Sequence, residues 1–439
     1  MVNTGKNPAE IAVVGDEPEA LLFTVLCAEA GIPSYLVGAF RDEDRRNARL
    51  TGIDEALWLL QIHKRSGRIS LQSDIEQLPL SSLRTLVIVG HPTNPQLSNV
   101  LEMKIRKLAP HLTPGTQISF AGIVRPRFTS SIFKATLEKY TGLKVGIDIG
   151  LSYIPLHWTG ERLQEFRERP KVVASCEGPL SSRLQEDLLA IFPAITKAST
   201  VELAEAAGLF SALSGEVISA LRLDLAKMSE RLGVDFGRAL DLCNGTGSIL
   251  EDHSTRVLGR ESIGANIVLS SSTRREGSRL IRAAHRVNED YQAQVMEMIG
   301  KALKQCGQRL RRSKVAILGT EGLLRNSWAK PEPPRIIEKL QSRGVQVSFC
   351  PSETGGEAWR QLVGNHARVE SNLLRAASSA RCVVVALPKS AALELDASQL
   401  ALVMDSPGAI CDLSEVLEAS NVERAGLFYT SIGRGTLVS

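Results

Sequence analysis

The sequence lacks most of the features that would place it quickly. It has no CxxC pair: its seven cysteines, Cys27, Cys176, Cys243, Cys306, Cys350, Cys382 and Cys411, are scattered singly. An odd count at irregular spacing excludes a disulfide framework and reads as reduced thiols in a cytoplasmic protein. No His/Cys/Asp cluster has the spacing of a zinc site, so no metal is expected. No run approaches the roughly 18 uninterrupted apolar residues of a membrane span. The polar opening MVNTGKNPAE leads straight into an apolar strand, and neither a signal peptide nor a membrane partner is expected. Charge of one sign is not in excess either. Lys+Arg 52 against Asp+Glu 48 leaves +4, which excludes a strongly electrostatic nucleic-acid binder. Low-complexity segments are absent. So is a Walker A loop, because Gly319-Thr320-Glu321-Gly322 has no lysine.

What is present is ordinary for a folded protein, with 43% hydrophobic and 23% charged residues in 439. At roughly 150 residues per domain, the length suggests about three domains. The strings IAVVG (Ile11–Gly15), SYLVG (Ser34–Gly38), LVIVG (Leu86–Gly90) and ISFAG (Ile118–Gly122) are short apolar strands. They alternate with helical text, starting with Ala20 to Ala30. The rhythm returns at Val315–Gly319, Gln346–Cys350 and Cys382–Leu387. Such alternation predicts parallel sheets flanked by helices. Between the two blocks, Thr200 to Cys243 and Arg274 to Arg309 carry good helix formers with apolar residues spaced about 3.6 apart. The fold class is therefore α/β, then helical, then α/β.

That order resembles the nucleotide-sugar 6-dehydrogenases, the UDP-glucose/GDP-mannose dehydrogenase family. Several strings carry the likeness: LKVGIDIGLSYIP (Leu143–Pro155) with PKVVAS (Pro170–Ser175), the helix AEAAGLF with SERLGVDFGRALDLCNG, LIRAAHRVNED (Leu280–Asp290), and FYTSIGRG (Phe428–Gly435). The pattern is nearest to UDP-N-acetyl-D-mannosamine dehydrogenase-like members. The resemblance implies an N-terminal Rossmann-like domain of the NAD-binding type (1–198), a central helical dimerisation domain (199–305) and a C-terminal Rossmann-like domain of the UDP-sugar-binding type (306–439). It also implies a two-step oxidation of a sugar alcohol to a carboxylate, with NAD as oxidant and a cysteine thiohemiacetal.

The site positions depart from that pattern. The dinucleotide loop G-x-G-x-x-G reads Gly15-Asp16-Glu17-Pro18-Glu19-Ala20, so only Gly15 stands. Carboxylates there repel a pyrophosphate and Pro18 removes a donor. The nucleophile loop aligns with Gly259 to Ser270, placing Asn266 at the cysteine and Ser270 at the aspartate. An amide is no thiolate. The family's lysine and asparagine fall at Gly208 and Ala212, and its glutamate at Leu156. The turn S-T-x-P-P-G-T becomes Gly122 to Phe128. For a UDP-sugar the remaining cations are Arg256, Arg260, Arg434 and Lys330. His157 reads as a packed or capping residue. His91 sits at a strand's C-terminal end, where α/β sheets place ligands, but the text offers no paired carboxylate. The basic runs Arg41–Arg46 and Lys301–Lys314 read as solvated faces.

The resulting expectation is a dehydrogenase relative without catalytic residues, a pseudoenzyme with a non-catalytic or regulatory role in glycan or polysaccharide metabolism. The alternative is an NAD-dependent UDP-sugar dehydrogenase, or another oxidoreductase, with rebuilt chemistry. No cofactor is expected beyond the NAD that the resemblance implies. A homodimer through the central helices is expected, with a UDP-sugar or an active dehydrogenase as further partner.

Overall fold

The computed structural model describes residues 11–38, 54–79, 83, 85–91, 95–158, 162–176, 188–244, 267, 279–319, 335–351, 356–387 and 395–434. Among these, two sheets form. The first takes β1 (Ile11–Val14), β2 (Ser34–Val37), β3 (Ile69–Gln72), β4 (Thr85–Val89), β5 (Gln117–Ala121), β6 (Gly150–Ile154), β7 (Lys171–Ser175) and β8 (Ile195–Lys197). Their order is β3-β2-β1-β4-β5-β6-β7-β8, parallel except between β6 and β7. The second takes β9 (Lys314–Gly319), β10 (Gln346–Cys350), β11 (Arg368–Val369), β12 (Cys382–Ala386), β13 (Ala409–Asp412) and β14 (Phe428–Ser431), in the order β11-β10-β9-β12-β13-β14 and wholly parallel. Both orders reverse direction beside their first strand, the doubly wound arrangement that opens a crevice at the strands' C-terminal ends. The α/β expectation with two Rossmann-like sheets holds.

Burial explains the unbroken apolar strands. In β9 and β12, Val315, Ile317 and Val384 face one core while Ala316, Leu318, Val383 and Val385 face another. A parallel strand covered on both faces has no solvent side to alternate with. In the first sheet, Val14, Ile88, Phe120 and Tyr153 share a core with the aromatic pair Phe128 and Phe133.

The described helices include α1 (Pro18–Glu29), α2 (Pro95–Leu108), α3 (Val201–Leu232), α4 (Phe236–Asn244), α5 (Arg279–Glu289) and α6 (Tyr291–Gln305). Helix α1 starts two residues earlier than its apolar text suggests, because Pro18 suits the first helical position. Of the described residues, those up to Ser214 and Ile267 form one compact unit, and the others from Gly215 onward form a second. Helix α3 is long and apolar enough to cross a membrane by length and composition, with mean hydropathy 1.3 over its best 18-residue window. No single apolar run reveals this, because polar residues punctuate the stretch. Two of them, Glu205 and Glu216, are buried and accept hydrogen bonds or ion-pair with neighbouring elements.

Candidate crevice at the first sheet

The crevice lies where β1, β4, β5 and β6 end. Gly15 closes β1, donating its N–H to Val37 O at 3.0 Å, and a Cβ there would lie 2.9 Å from the Val89 Cβ. Close packing of β1 on β4 therefore accounts for this glycine. Asp16 pairs with Lys104 of α2 at 2.8 Å. Glu17 occupies the N-cap of α1, and its carboxyl is pushed up, by burial first and by Glu19 and Asp16 against the opposing pull of His91.

Glu19, in the first turn of α1, is 3% exposed. Its Oε1 accepts the Trp158 N–H at 2.7 Å and lies 3.3 Å from His91 Nε2. Burial alone would raise its pKa, but His91, His157 and the Trp158 amide outweigh that and hold it at about 2. His91, 7% exposed, follows β4. Its Nδ1 accepts the Ile123 N–H at 2.9 Å, so the neutral ring carries its proton on Nε2, on the Glu19 side but without the alignment of a hydrogen bond. Burial disfavours a charged ring while Glu19 and Glu17 favour it, and the balance lies above the ordinary histidine value. The His157 ring meets His91 edge-on, with centroids 6.1 Å apart.

This corrects the sequence reading, in which His91 had no carboxylate. Glu19 is that partner, 72 positions away, and only the adjacency of β1 and β4 brings the two together. The one textual hint was an acid in the first turn of a helix directly after a strand. Nδ1 is occupied by the Ile123 amide, while Nε2 approaches Glu19 Oε1 to 3.3 Å without the alignment of a hydrogen bond.

The turn after β5 is tightly built. Gly122 has φ +142°, and a Cβ there would fall 1.9 Å from Gly90 O. Tyr153 Oη donates to Gly122 O at 2.7 Å. At the far end of the turn, Glu205 of α3 accepts the N–H groups of Arg127 and Thr129, both at 2.6 Å. Arg127 adopts φ +69°, and Glu202 takes the Ser130 hydroxyl.

The structure brings several expected site positions together. Gly208 packs against Pro155 so closely that a Cβ would lie 2.3 Å from the Pro155 Cβ. Leu156, directly after, is fully buried. Ala212 sits in an apolar cluster with Leu209, Ile123 and Ile267. Asn266, Ser270, Arg256, Arg260 and Lys330 lie outside the described residues. Arg434 is described and occupied: it pairs with Glu423 at 2.7 Å and covers the Tyr429 ring at 4.8 Å. Asp412 accepts the N–H groups of Ser414, Val416 and Leu417 and the Tyr429 hydroxyl, shaping the loop after β13. No group of three or more potential metal ligands occurs among the described residues.

No protein-family profile matches the chain. Two curated proteins are similar over part of it. CapL of Staphylococcus aureus is 25% identical over 263 residues, 58% of this chain and 61% of that protein. The UDP-N-acetyl-D-mannosamine dehydrogenase of Pyrococcus horikoshii is 24% identical over 262 residues, again 58% and 61%. Over that part of its sequence the chain resembles the UDP-glucose/GDP-mannose dehydrogenase family. Solved structures agree in fold across nearly the whole length. A UDP-D-ManNAc dehydrogenase from Pyrococcus horikoshii gives a TM-score of 0.75 at 19% identity, covering 98% of this chain and 100% of that one. A UDP-glucose dehydrogenase from Pyrobaculum islandicum gives 0.75 at 16%, covering 99% of each. In sequence, the chain matches about 61% of the length of the curated relatives.

Within the family frame, Gly208, Ala212 and Leu156 come from two elements, α3 and the segment after β6, packed directly on each other. The resemblance assigned polar roles to these positions. In this chain the neighbourhood is a tight backbone contact and an apolar cluster. The crevice residues Glu19, His91 and His157 are additions that the family pattern did not point to.

Proposed function

We propose that this chain is a nucleotide-sugar dehydrogenase relative that does not oxidise its sugar. In this reading it acts as a non-catalytic or regulatory member in glycan or polysaccharide metabolism. The observation that carries the reading is the buried Glu19–His91 pair at the crevice, backed by Asp16 and Glu17. A helix N-terminus at that place suits a phosphate anion. Here the chain's own carboxylates supply the negative charge, so these residues do not fit a dinucleotide pyrophosphate in the usual mode. Two further features support the reading. Gly208 leaves no room for a lysine side chain beside Pro155, and Ala212 contributes a methyl to an apolar cluster. Each missing oxyanion donor costs about a hundredfold or more in rate, and Asn266 cannot form the covalent intermediate.

A UDP-sugar remains the proposed ligand class, drawn from the names of the relatives, and an active dehydrogenase is a possible protein partner. We further propose a second copy of the chain as partner. Leu203, Phe210, Leu221, Met228 and Leu232 are exposed on α3. At 100° per residue they fall within about 20° of one line along the helix, a self-complementary apolar stripe.

The test is NADH production by the purified chain with UDP-glucose, UDP-N-acetylglucosamine and UDP-N-acetylmannosamine, alongside binding titrations with NAD and the same sugars. No turnover is expected, and Asn266→Cys alone should not restore it. Steady NADH formation with a UDP-sugar acid as product would overturn the proposal.

A further inference from the structure

We propose that His91 is a proton-operated latch on the turn that follows β5. In the latched state the ring is neutral. Nε2 lies 3.3 Å from Glu19 Oε1 without hydrogen-bond alignment, and Nδ1 accepts the Ile123 N–H at 2.9 Å. A second proton has one place to bind, Nδ1, and binding there removes the acceptor. Two N–H groups then face each other, and Ile123 must withdraw.

The surroundings make this proton uptake favourable and direct its consequence. From α1, Glu19 and Glu17 face the ring, with Asp16 tied to Lys104 of α2. From the segment after β6 come the His157 ring and the Trp158 amide, the latter held by Glu19. Arg169 holds the His157 carbonyl at 3.0 Å. Among the described residues, the β5 side presents the Ile123 amide to the ring. The negative charge thus lies on the Nε2 side and favours the imidazolium, while the strain of accepting the proton falls on the turn. The balance of burial against these carboxylates raises the pKa of the ring above its ordinary 6.5.

The turn has two anchors besides His91. Gly122 is held by Tyr153 Oη and Ile154 O, and Arg127 with Thr129 is held by Glu205. Release at Ile123 therefore frees the span between these anchors without unfolding either end. The Ile123 side chain packs with Leu209 and Ala212 of α3 and with Ile267, next to Asn266. A proton taken up in the crevice is in this way transmitted to the helix and to Ile267. The inference does not rest on loss of oxidation and holds for an active or an inactive chain.

Hydrogen exchange of the full chain, read on peptides covering residues 118–128 and corrected for the intrinsic pH dependence of exchange, tests it. The Ile123 amide should lose about fivefold to tenfold in protection as pH falls through a midpoint above 6.5, the worth of one buried hydrogen bond. His91→Gln can both accept from Ile123 and donate to Glu19 but does not titrate, so its protection should be independent of pH. His157→Gln should retain the step. Nitrogen-15 spectra of histidine-labelled wild-type protein give a readout that needs no variant to fold. One ring should pass from the Nε2–H tautomer to the doubly protonated form with the same midpoint as the exchange step. Unchanged Ile123 protection between pH 8 and 5.5, a step that survives His91→Gln, or a step lost in His157→Gln would overturn the latch.

Discussion

Replacing Glu19 with glutamine removes one negative charge from the crevice and keeps the side chain's size. The native carboxyl titrates at about 2 rather than at its ordinary 4.5. Burial pushes it up, but His91, His157 and the Trp158 N–H more than compensate. A carboxyl depressed on folding contributes stability that is fully present above its unfolded pKa and is lost as pH falls toward the folded one. Integrating between those two values gives about 3 kcal/mol at pH 7 and about 2 kcal/mol at pH 3.5. Glu19→Gln forfeits that contribution, so the variant should be less stable than wild type by about 3 kcal/mol at pH 7, with the gap narrowing as the medium is acidified. Urea unfolding midpoints at matched pH values, with the slope checked for constancy, measure it. A gap under about 1 kcal/mol at pH 7, or one that stays level toward acid, would refute the claim that a charged Glu19 is held by His91, His157 and the Trp158 N–H.

Two further predictions concern α3. Gly208→Ala should destabilise by about 1–3 kcal/mol, because the new methyl meets Pro155, although alanine is otherwise the better helix former. Gly215→Ala on the same helix meets nothing within 4 Å and should stabilise by up to about 1 kcal/mol; equal thermal shifts for the two variants would contradict the packing argument. If α3 joins two copies, wild type should give a dimer mass by light scattering at micromolar concentration, and Phe210→Asp with Met228→Asp should give a folded monomer. A wild-type monomer would remove the stripe's proposed partner.

Much of the architecture was legible because its signal is local. Short Val/Ile/Leu runs ending in glycine, separated by helical text, mark buried parallel strands wherever they occur, and β1, β4, β5, β9, β10 and β12 fall within a residue of their strings. The same reasoning missed β3, β8, β11, β13 and β14, which are short or mixed in polarity and take their place by pairing with stronger neighbours. The site was half legible. That the loop after β1 is acidic and that Gly208 and Ala212 are small residues on a helix could be read directly. Whether a small residue leaves space for a ligand or has another chain segment pressed against it could not.

By itself, then, the sequence determined the fold class, the alternation of strands and helices, and the helical character of the central stretch. These depend on residue type and spacing along a few consecutive turns. The tertiary structure alone decided that Glu19 meets His91, that the Ile123 amide caps the ring's other nitrogen, and that Pro155 fills the space above Gly208. Each of those contacts joins residues dozens of positions apart through the strand order β1-β4-β5-β6 and the seat of α3 on it. A buried charge must find its partner in space, and no local pattern records which strand will be its neighbour.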